Sequence, residues 1–204
     1  MKEVVLAPGL WNPAAAMAFL AARLTASGFN PHVFAYRGRS PFESNVASLA
    51  KFLRERFNGN AVHLVGHSLG GVLVFETLSR HPEITVGSVV LMGAPVRGCL
   101  SGRRFGGARL GRWMMGACRE LWDERNAAWQ RSEPLGVIAG TIPIGLGRTL
   151  GRLPGPSDGV VCVEETTIEG MRARALIPQG HSMLVMSGRV AKAVARFLES
   201  GRFE

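Results

Sequence analysis

Residues 66–70 read Gly-His-Ser-Leu-Gly, a serine between two glycines, and this motif limits the possible folds of the chain more than any other part of it. A short apolar run precedes it at 62–65, and an apolar pattern with helical spacing follows it directly. Strand, sharp turn and helix, in that order, form the context in which a G-x-S-x-G motif holds a nucleophilic serine. Gly66 and Gly70 remove the side chains that would collide where strand and helix meet. The motif therefore predicts a Ser68 hydroxyl raised at the end of a strand, beside the positive end of a helix.

Two plainer interpretations of this turn are a serine without chemistry and a loop that binds phosphate. A phosphate loop of the G-x-x-x-x-G-K-[ST] type needs a lysine, and none lies between Lys51 and Lys192. The flanking strand and helix favour a nucleophile over a serine in a chance Gly-rich turn. Neither a dinucleotide fingerprint after the first strand nor a cluster of metal ligands is present, so we expect no cofactor and no metal.

Length and composition predict a single folded domain over residues 1–204. The chain is 47% hydrophobic, which is enough to bury a large core. Its first long apolar stretch, 13–22, is too short to span a bilayer and follows a strand-like segment instead of a basic leader. Three cysteines without C-x-x-C spacing suit free thiols in a reducing compartment. We therefore expect a cytoplasmic protein, and the sequence leaves its oligomeric state open.

The formal charge of +9 comes mainly from arginine, and five arginines fall within sixteen residues. They are Arg97, Arg103, Arg104, Arg109 and Arg112. Such a cluster suits peripheral contact with an anionic membrane or an acidic substrate. A solvated basic face explains it equally simply, and we favour that explanation. No nucleic-acid motif accompanies the cluster, so we expect no nucleic-acid partner.

Apolar runs and amphipathic helical stretches alternate along the chain. We expect strands at residues 3–7, 32–36, 62–66, 88–92, 135–139 and 173–177. Helices should begin at Asn12-Pro13, at a capping box over Ser40–Glu43, directly after Ser68, and from about Ser187. This order is typical of an α/β fold, with a mostly parallel sheet of about six strands covered by helices on both faces.

Residues 97–132 interrupt the alternation, since they contain no strand pattern. Leu110, Trp113 and Met114 recur there at helical spacing. An insertion at this point of an open α/β sheet lies over the carboxyl ends of the strands, where ligands bind. We interpret it as a small lid or pocket wall, with ordinary helical core packing as the alternative.

Ser68 needs a base to accept its proton, normally a histidine held by a carboxylate. In this topology both partners follow the serine, in the order acid and then histidine. His81 lies at the far end of the helix after Ser68, roughly 18 Å away at about 1.5 Å per residue. His181 follows the last strand in a turn-rich loop, 178–182. His181 is therefore the predicted base, whereas His67 and His63 suit packing roles.

The acid is constrained because the chain has only two aspartates, Asp123 and Asp158. Asp123 lies in the helical insertion among other acidic residues, as on a solvated face. Asp158 lies between the fifth and sixth strands, in a loop that two prolines stiffen. Asp158 is therefore the predicted acid, with an Asp-Gly turn as its structural alternative and Glu164 and Glu165 as fallbacks.

The developing negative charge on a substrate carbonyl needs two N–H donors. The N–H of Leu69, directly after the serine, is one candidate. The N–H of Leu10, in the loop after the first strand, is the other, and a plain Pro-Gly turn is its alternative. Trp11, beside Leu10, would then line the substrate pocket.

These features together resemble the α/β-hydrolase family, and within it the compact bacterial lipase-like and esterase-like proteins. The resemblance spans residues 3 to about 200 and rests on the motif at 62–71, the loop at 8–11, the Asp158 loop and Gly180-His181-Ser182. It implies a trimmed six-stranded core and esterase, lipase, thioesterase, amidase or acyltransferase chemistry. The family loop usually has histidine where this chain has Pro8.

The sequence therefore predicts a serine hydrolase that cleaves a carboxylic ester through an acyl-enzyme intermediate. Its partner would be a small-molecule or lipid-like acyl ester. Acyl transfer or thioester hydrolysis on the same residues is an alternative. A second alternative, suggested by Pro8, is a binding or scaffold protein that retains the fold without turnover.

Overall fold

Short runs of β-branched and other apolar residues form a six-stranded sheet at the centre of the molecule. The structure, a computed structural model, describes residues 1–10, 14–144 and 151–204. The strands are β1 (Lys2–Ala7), β2 (Phe29–Val33), β3 (Val62–His67), β4 (Val86–Met92), β5 (Leu135–Gly140) and β6 (Ala173–Ile177). Their order is β2-β1-β3-β4-β5-β6, and every neighbouring pair is parallel. The predicted fold class is confirmed.

Helices cover both faces of the sheet because each central strand is apolar on both sides. The α-helices are α1 (Ala18–Ala26), α2 (Phe42–Phe57), α3 (Leu69–Arg80), α4 (Leu100–Gly107), α5 (Arg109–Met115) and α6 (Gly188–Ser200). Strand residues such as Val5 and Leu64 pack in one core with α2 and α3. Their neighbours Val4 and Val65 pack in a second core with α1 and α6. This burial on both faces is typical of parallel sheets.

All six strands end at the same edge of the sheet, because they are parallel. The loops after β1, β3, β5 and β6 therefore converge there, and they contain Leu10, Ser68, Asp158 and His181 respectively. The insertion between β4 and β5 forms α4, α5 and a 3₁₀ helix over Gly116–Trp122. This edge is where ligands bind in open α/β sheets.

The second strand differs from the prediction, since β2 spans residues 29–33 instead of 32–36. It pairs with β1 in the register Lys2↔Phe29 to Leu6↔Val33, with Pro31 opposite Val4. Among the described strands, β2 lies at the edge of the sheet and pairs with β1 alone. A proline, which has no N–H to donate, is tolerated in that position.

The start of α2 also differs from the prediction of a capping box. The residue that caps α2 is Pro41, and no side chain makes a capping hydrogen bond there. The Glu43 carboxylate instead accepts a hydrogen bond from Arg80 at the end of α3. The predicted helix start at residues 12–13 lies outside the described residues. Within them, a 3₁₀ turn at Ala14–Met17 leads into α1.

Candidate active site

Ser68 occupies the sharp turn between β3 and α3, as the motif predicted. Its backbone angles are φ 53° and ψ −124°, a conformation that residues other than glycine rarely adopt. The Ser68 N–H donates to the carbonyl of Met92 in β4, at 2.9 Å, which fixes the turn to the sheet. Strain of this kind persists only where the surroundings hold it, and it often marks functional positions.

The two glycines of the motif are required by backbone contacts on either side of Ser68. A Cβ at Gly66 would lie 2.5 Å from the Cα of Gly71. A Cβ at Gly70 would lie 2.2 Å from the carbonyl oxygen of Ala7. Both contacts are with backbone atoms that cannot rotate away, so the strand and the helix approach each other this closely only with glycine at both positions.

His181 lies beside Ser68, although 113 residues separate them in sequence. His181 Nε2 is 2.9 Å from Ser68 Oγ, and His181 Nδ1 is 2.7 Å from Asp158 Oδ2. A carboxylate can only accept, so the proton of the neutral imidazole belongs on Nδ1. Nε2 is then the acceptor for the Ser68 hydroxyl. The structure thus brings together the three residues predicted as nucleophile, base and acid.

Asp158 is held in place by backbone N–H groups of its own loop. Its side chain is 1% exposed, and Oδ1 accepts from the N–H groups of Val160 at 3.0 Å and Val161 at 2.7 Å. Oδ2 is left for His181. The Asp158 carbonyl also accepts from the His181 N–H at 2.9 Å. Asp158 therefore binds both the ring and the backbone of His181.

His67 makes a hydrogen bond to His181 that the sequence pattern did not indicate. His67 Nε2 donates to the His181 carbonyl at 3.1 Å, and the two ring centroids are 4.9 Å apart. Burial, followed by the proximity of His181, lowers the pKa of His67 to about 3. His67 is therefore neutral at physiological pH. Its ring proton belongs on Nε2, because the His181 carbonyl can only accept a hydrogen bond. The packing role predicted for His67 includes a specific contact with the candidate base.

His63, for which a packing role was predicted, and His81, which was excluded as the base by its distance, lie away from this cluster. His63 Nδ1 accepts from the Ser88 N–H at 2.9 Å, and burial lowers the pKa of His63. His81 caps the end of α3, and its Nδ1 lies 3.1 Å from a carboxylate oxygen of Glu83.

The loop after β1 lies directly against Ser68. A Cβ at Gly9 would be 3.1 Å from the Cβ of Ser68, so the backbone of this loop borders the serine. The carbonyl of Pro8 accepts from the Tyr36 hydroxyl at 2.7 Å, and burial raises the pKa of Tyr36, which keeps this donor protonated. Leu10 follows in the same loop, and Leu69 is the first residue of α3. Trp11 lies outside the described residues.

The fallback acids Glu164 and Glu165 lie in a 3₁₀ helix and have other partners. Glu165 accepts from the N–H groups of Leu100 at 2.6 Å and Cys162 at 2.7 Å. Burial raises the pKa of Glu165 despite those two bonds. Glu164 is exposed and accepts from Arg97. Glu165 thus fastens the start of α4 to the loop that follows Asp158.

The predicted pocket residues of the insertion differ in how far they are exposed to solvent. Leu110 and Trp113 on α5 are 64% and 67% exposed, whereas Met114 is half-buried. Arg39 lies over the Trp113 ring, with its guanidinium carbon 5.1 Å from the ring centroid. Whether these side chains line an acyl pocket stays a prediction.

The described residues form neither a metal-binding cluster nor a helix that could span a membrane. Among residues 1–10, 14–144 and 151–204, no group of three or more His, Cys, Asp or Glu is arranged to hold a metal ion. Within the same ranges, no helix is both long and apolar enough to cross a membrane. Cys99, Cys118 and Cys162 are free and buried, and burial raises the pKa of each thiol.

The family of this chain is shown by its similarity to known proteins. The model of the alpha/beta hydrolase family matches residues 4–193, so the chain belongs to that family. The resemblance inferred from the sequence is confirmed. A comparison with curated proteins found no match.

Solved structures with the same fold include hydrolases of several kinds. A lipase from Bacillus licheniformis is 17% identical with a TM-score of 0.74, over 97% of this chain and 91% of that chain. A metagenomic carboxyl esterase is 17% identical with a TM-score of 0.74, over 98% and 76%. A thioesterase from the prodiginine biosynthetic pathway in Streptomyces coelicolor is 17% identical with a TM-score of 0.62, over 97% and 83%. At these identities the likeness concerns the fold.

Proposed function

We propose that this protein is a serine hydrolase that cleaves carboxylic esters, with Ser68 as nucleophile, His181 as base and Asp158 as acid. The continuous hydrogen-bonded chain from Ser68 Oγ through both ring nitrogens of His181 to Asp158 supports the proposal most strongly. A nucleophile, a base and a group that orients the base are the parts that acyl transfer through a serine needs.

In the first half of the reaction, Ser68 Oγ attacks the ester carbonyl while His181 Nε2 takes the hydroxyl proton. Asp158 stabilises the imidazolium that forms and keeps its ring oriented. The N–H groups of Leu10 and Leu69 are the proposed donors to the oxyanion. His181 then gives its proton to the leaving alcohol, and an acyl group remains on Ser68.

In the second half, a water molecule replaces the alcohol. His181 removes a proton from the water, which attacks the acyl carbonyl, and the same oxyanion donors stabilise the second tetrahedral intermediate. Collapse of that intermediate releases the carboxylic acid, and the proton returns to Ser68. If an alcohol, amine or thiol took the place of water, the same residues would perform acyl transfer.

The proposed substrate is a small-molecule or lipid-like acyl ester. The described structural neighbours include a lipase and a carboxyl esterase, which is consistent with ester chemistry. The protein's buried free thiols suit a reducing compartment, and we therefore propose a cytoplasmic location. A thioesterase with the same fold keeps thioesters within the substrate panel to be tested.

Fluorophosphonate labelling tests the nucleophile. The wild type should take up the label and hydrolyse short p-nitrophenyl esters. Ser68→Ala should lose the label, with a rate lower by roughly 10³- to 10⁶-fold. Ser182→Ala is a matched control, because Ser182 is exposed and adjacent to His181. A folded wild type that takes up no label and binds acyl esters without cleaving them would instead indicate a binding protein.

Acyl-chain length tests the pocket. If Trp11, Leu110, Trp113 and Met114 contact the acyl group, rates on C2, C4, C8 and C16 esters should differ by more than tenfold across the series, since each buried CH₂ contributes about 0.8 kcal/mol. A flat profile would remove these residues from the pocket while leaving the role of Ser68 intact.

A further inference from the structure

Helix α5 exposes two large apolar side chains that most folded proteins would bury. Leu110 is 64% exposed and Trp113 is 67% exposed. Their spacing of three residues places them on the same face of the helix. By contrast, Trp122 and Trp129 are 5% and 8% exposed. Adjoining apolar side chains with a rim of charged residues are a feature of surfaces that contact membranes or other proteins.

Positive charge surrounds this apolar pair. Residues 97–115 contain five arginines and no acidic residue. Arg97 and Arg103 form ion pairs with Glu164 and Glu124.

Arg109 and Arg112 are exposed on α5 itself, beside Leu110 and Trp113. Arg112 donates to the carbonyl of Gly107 at 2.6 Å, so its side chain follows the helix surface. No carboxylate in the described part of the chain forms an ion pair with either arginine. Their charge is therefore available to an external anion.

Arg39 adds a third cation to the same surface and orients the tryptophan. Its guanidinium lies over the Trp113 ring, and its Nη2 donates to the Trp113 carbonyl at 2.7 Å. Its own carbonyl accepts from the Ala117 N–H at 3.2 Å, which joins the Arg39 loop to the 3₁₀ helix directly after α5. Tryptophan stacked with arginine presents an apolar ring and a positive charge together.

This surface lies at the same edge of the sheet as Ser68. Gly38, next to Arg39, packs against Leu10, since a Cβ there would be 3.3 Å from the Leu10 Cα. Gly9 in turn borders Ser68. One short series of contacts therefore links the surface to the loop beside the candidate nucleophile.

We propose that Arg39, Arg109, Leu110, Arg112 and Trp113, here called the α5 patch, form a docking surface for anionic lipid. Trp113 and Leu110 would enter the boundary between headgroups and acyl chains, where the amphipathic indole ring is favoured. The three arginines would bind lipid phosphates. Charge complementarity selects this partner, because the patch combines three cations with apolar side chains. Binding at the patch does not require that Ser68 react.

Sedimentation with vesicles tests the proposal on the full chain. Vesicles of 70% phosphatidylcholine and 30% phosphatidylglycerol should bind the protein at low ionic strength, and vesicles of phosphatidylcholine alone should bind it much less. Arg109→Gln with Arg112→Gln should weaken binding to the anionic vesicles at least tenfold, at about fivefold for each charge near the membrane surface. Trp113→Ser should weaken binding to the same vesicles without changing the net charge.

A matched control separates the patch from the overall charge of +9. Arg189→Gln with Arg196→Gln removes the same charge from exposed positions on α6, away from the α5 patch. This control and Ser68→Ala should both bind the anionic vesicles as the wild type does. Equal loss in the α6 control would overturn the proposal, as would no binding of the wild type to anionic vesicles. A change in oligomeric state on Trp113→Ser would assign the patch to self-association instead.

Discussion

Replacing Asp158 with asparagine changes one atom of the candidate site and should nearly abolish turnover. The carboxylate of Asp158 has two distinct sides: Oδ1 accepts from Val160 and Val161, and Oδ2 accepts from His181. An asparagine must place its one oxygen on one side and its NH₂ on the other. If the oxygen stays with the two backbone N–H groups, the NH₂ faces His181 Nδ1.

That orientation forces the wrong tautomer of His181. Nδ1 must then accept, so the ring proton moves to Nε2, which points at Ser68 Oγ and can no longer take its proton. We expect kcat/KM to fall by about 10⁴-fold, which corresponds to roughly 5 kcal/mol of lost transition-state stabilisation. The opposite orientation would leave two backbone N–H groups without an acceptor, and would therefore destabilise the fold as well.

The assay is kcat/KM on a short p-nitrophenyl ester, with thermal unfolding measured in parallel. Glu164→Gln is the matched control, since it removes one negative charge from an exposed carboxylate near the same loop and should leave the rate within a few-fold. The reasoning is refuted if Asp158→Asn stays within tenfold of the wild type. If Glu164→Gln or Glu165→Gln then abolishes turnover, the acid lies there instead.

Three further predictions follow from the same geometry. Gly70→Ala should prevent stable folding because of the clash with the Ala7 carbonyl, whereas Gly107→Ala, with open space at its Cβ, should unfold at the same or a higher temperature. His67→Phe removes the donor to the His181 carbonyl and should lower kcat/KM roughly 10- to 100-fold by misplacing the base, with partial recovery in His67→Gln, whose amide donates. The pKa of His67 is about 3 in the folded protein and 6.5 when the ring is not buried, as in the unfolded chain. Between pH 3 and pH 6.5 the unfolded chain therefore binds one more proton at this residue than the folded protein does. The contribution of neutral His67 to the free energy of unfolding should be complete above about pH 6.5. Below that pH, this residue should lower the free energy of unfolding by roughly 1 kcal/mol per pH unit, and the slope should be shallower in His67→Gln. Denaturant titrations from pH 7 to 4 measure this slope.

The sequence was sufficient where the structural cause is local or follows from chain order. The turn at Ser68 is determined by its own glycines, and strand β3 and helix α3 flank it as predicted. The positions of Asp158 and His181 followed from the loops after β5 and β6, because a parallel sheet brings those loops to one edge.

The sequence was insufficient where a distant partner decides the outcome. Pro31 is compatible with β2 only because that strand lies at the sheet edge, which depends on the order of all six strands. The spacing of Leu110, Trp113 and Met114 indicated a helix but not its end at Met115. The next residue, Gly116, has φ 61° and lies against the Arg39 carbonyl. No pattern in the sequence indicated that the Glu165 carboxylate accepts hydrogen bonds from the N–H groups of Leu100 and Cys162.

The contacts around His181 hold both the ring and the backbone of the candidate base. Its ring nitrogens contact Ser68 and Asp158, its N–H donates to the Asp158 carbonyl, and its own carbonyl accepts from His67. The backbone bond to Asp158 does not involve the carboxylate, so it survives in Asp158→Asn. That substitution should therefore change the proton on the ring while the ring stays in place. A crystal structure of Asp158→Asn with His181 displaced from Ser68 would show that the carboxylate, and not the backbone, holds the base in position.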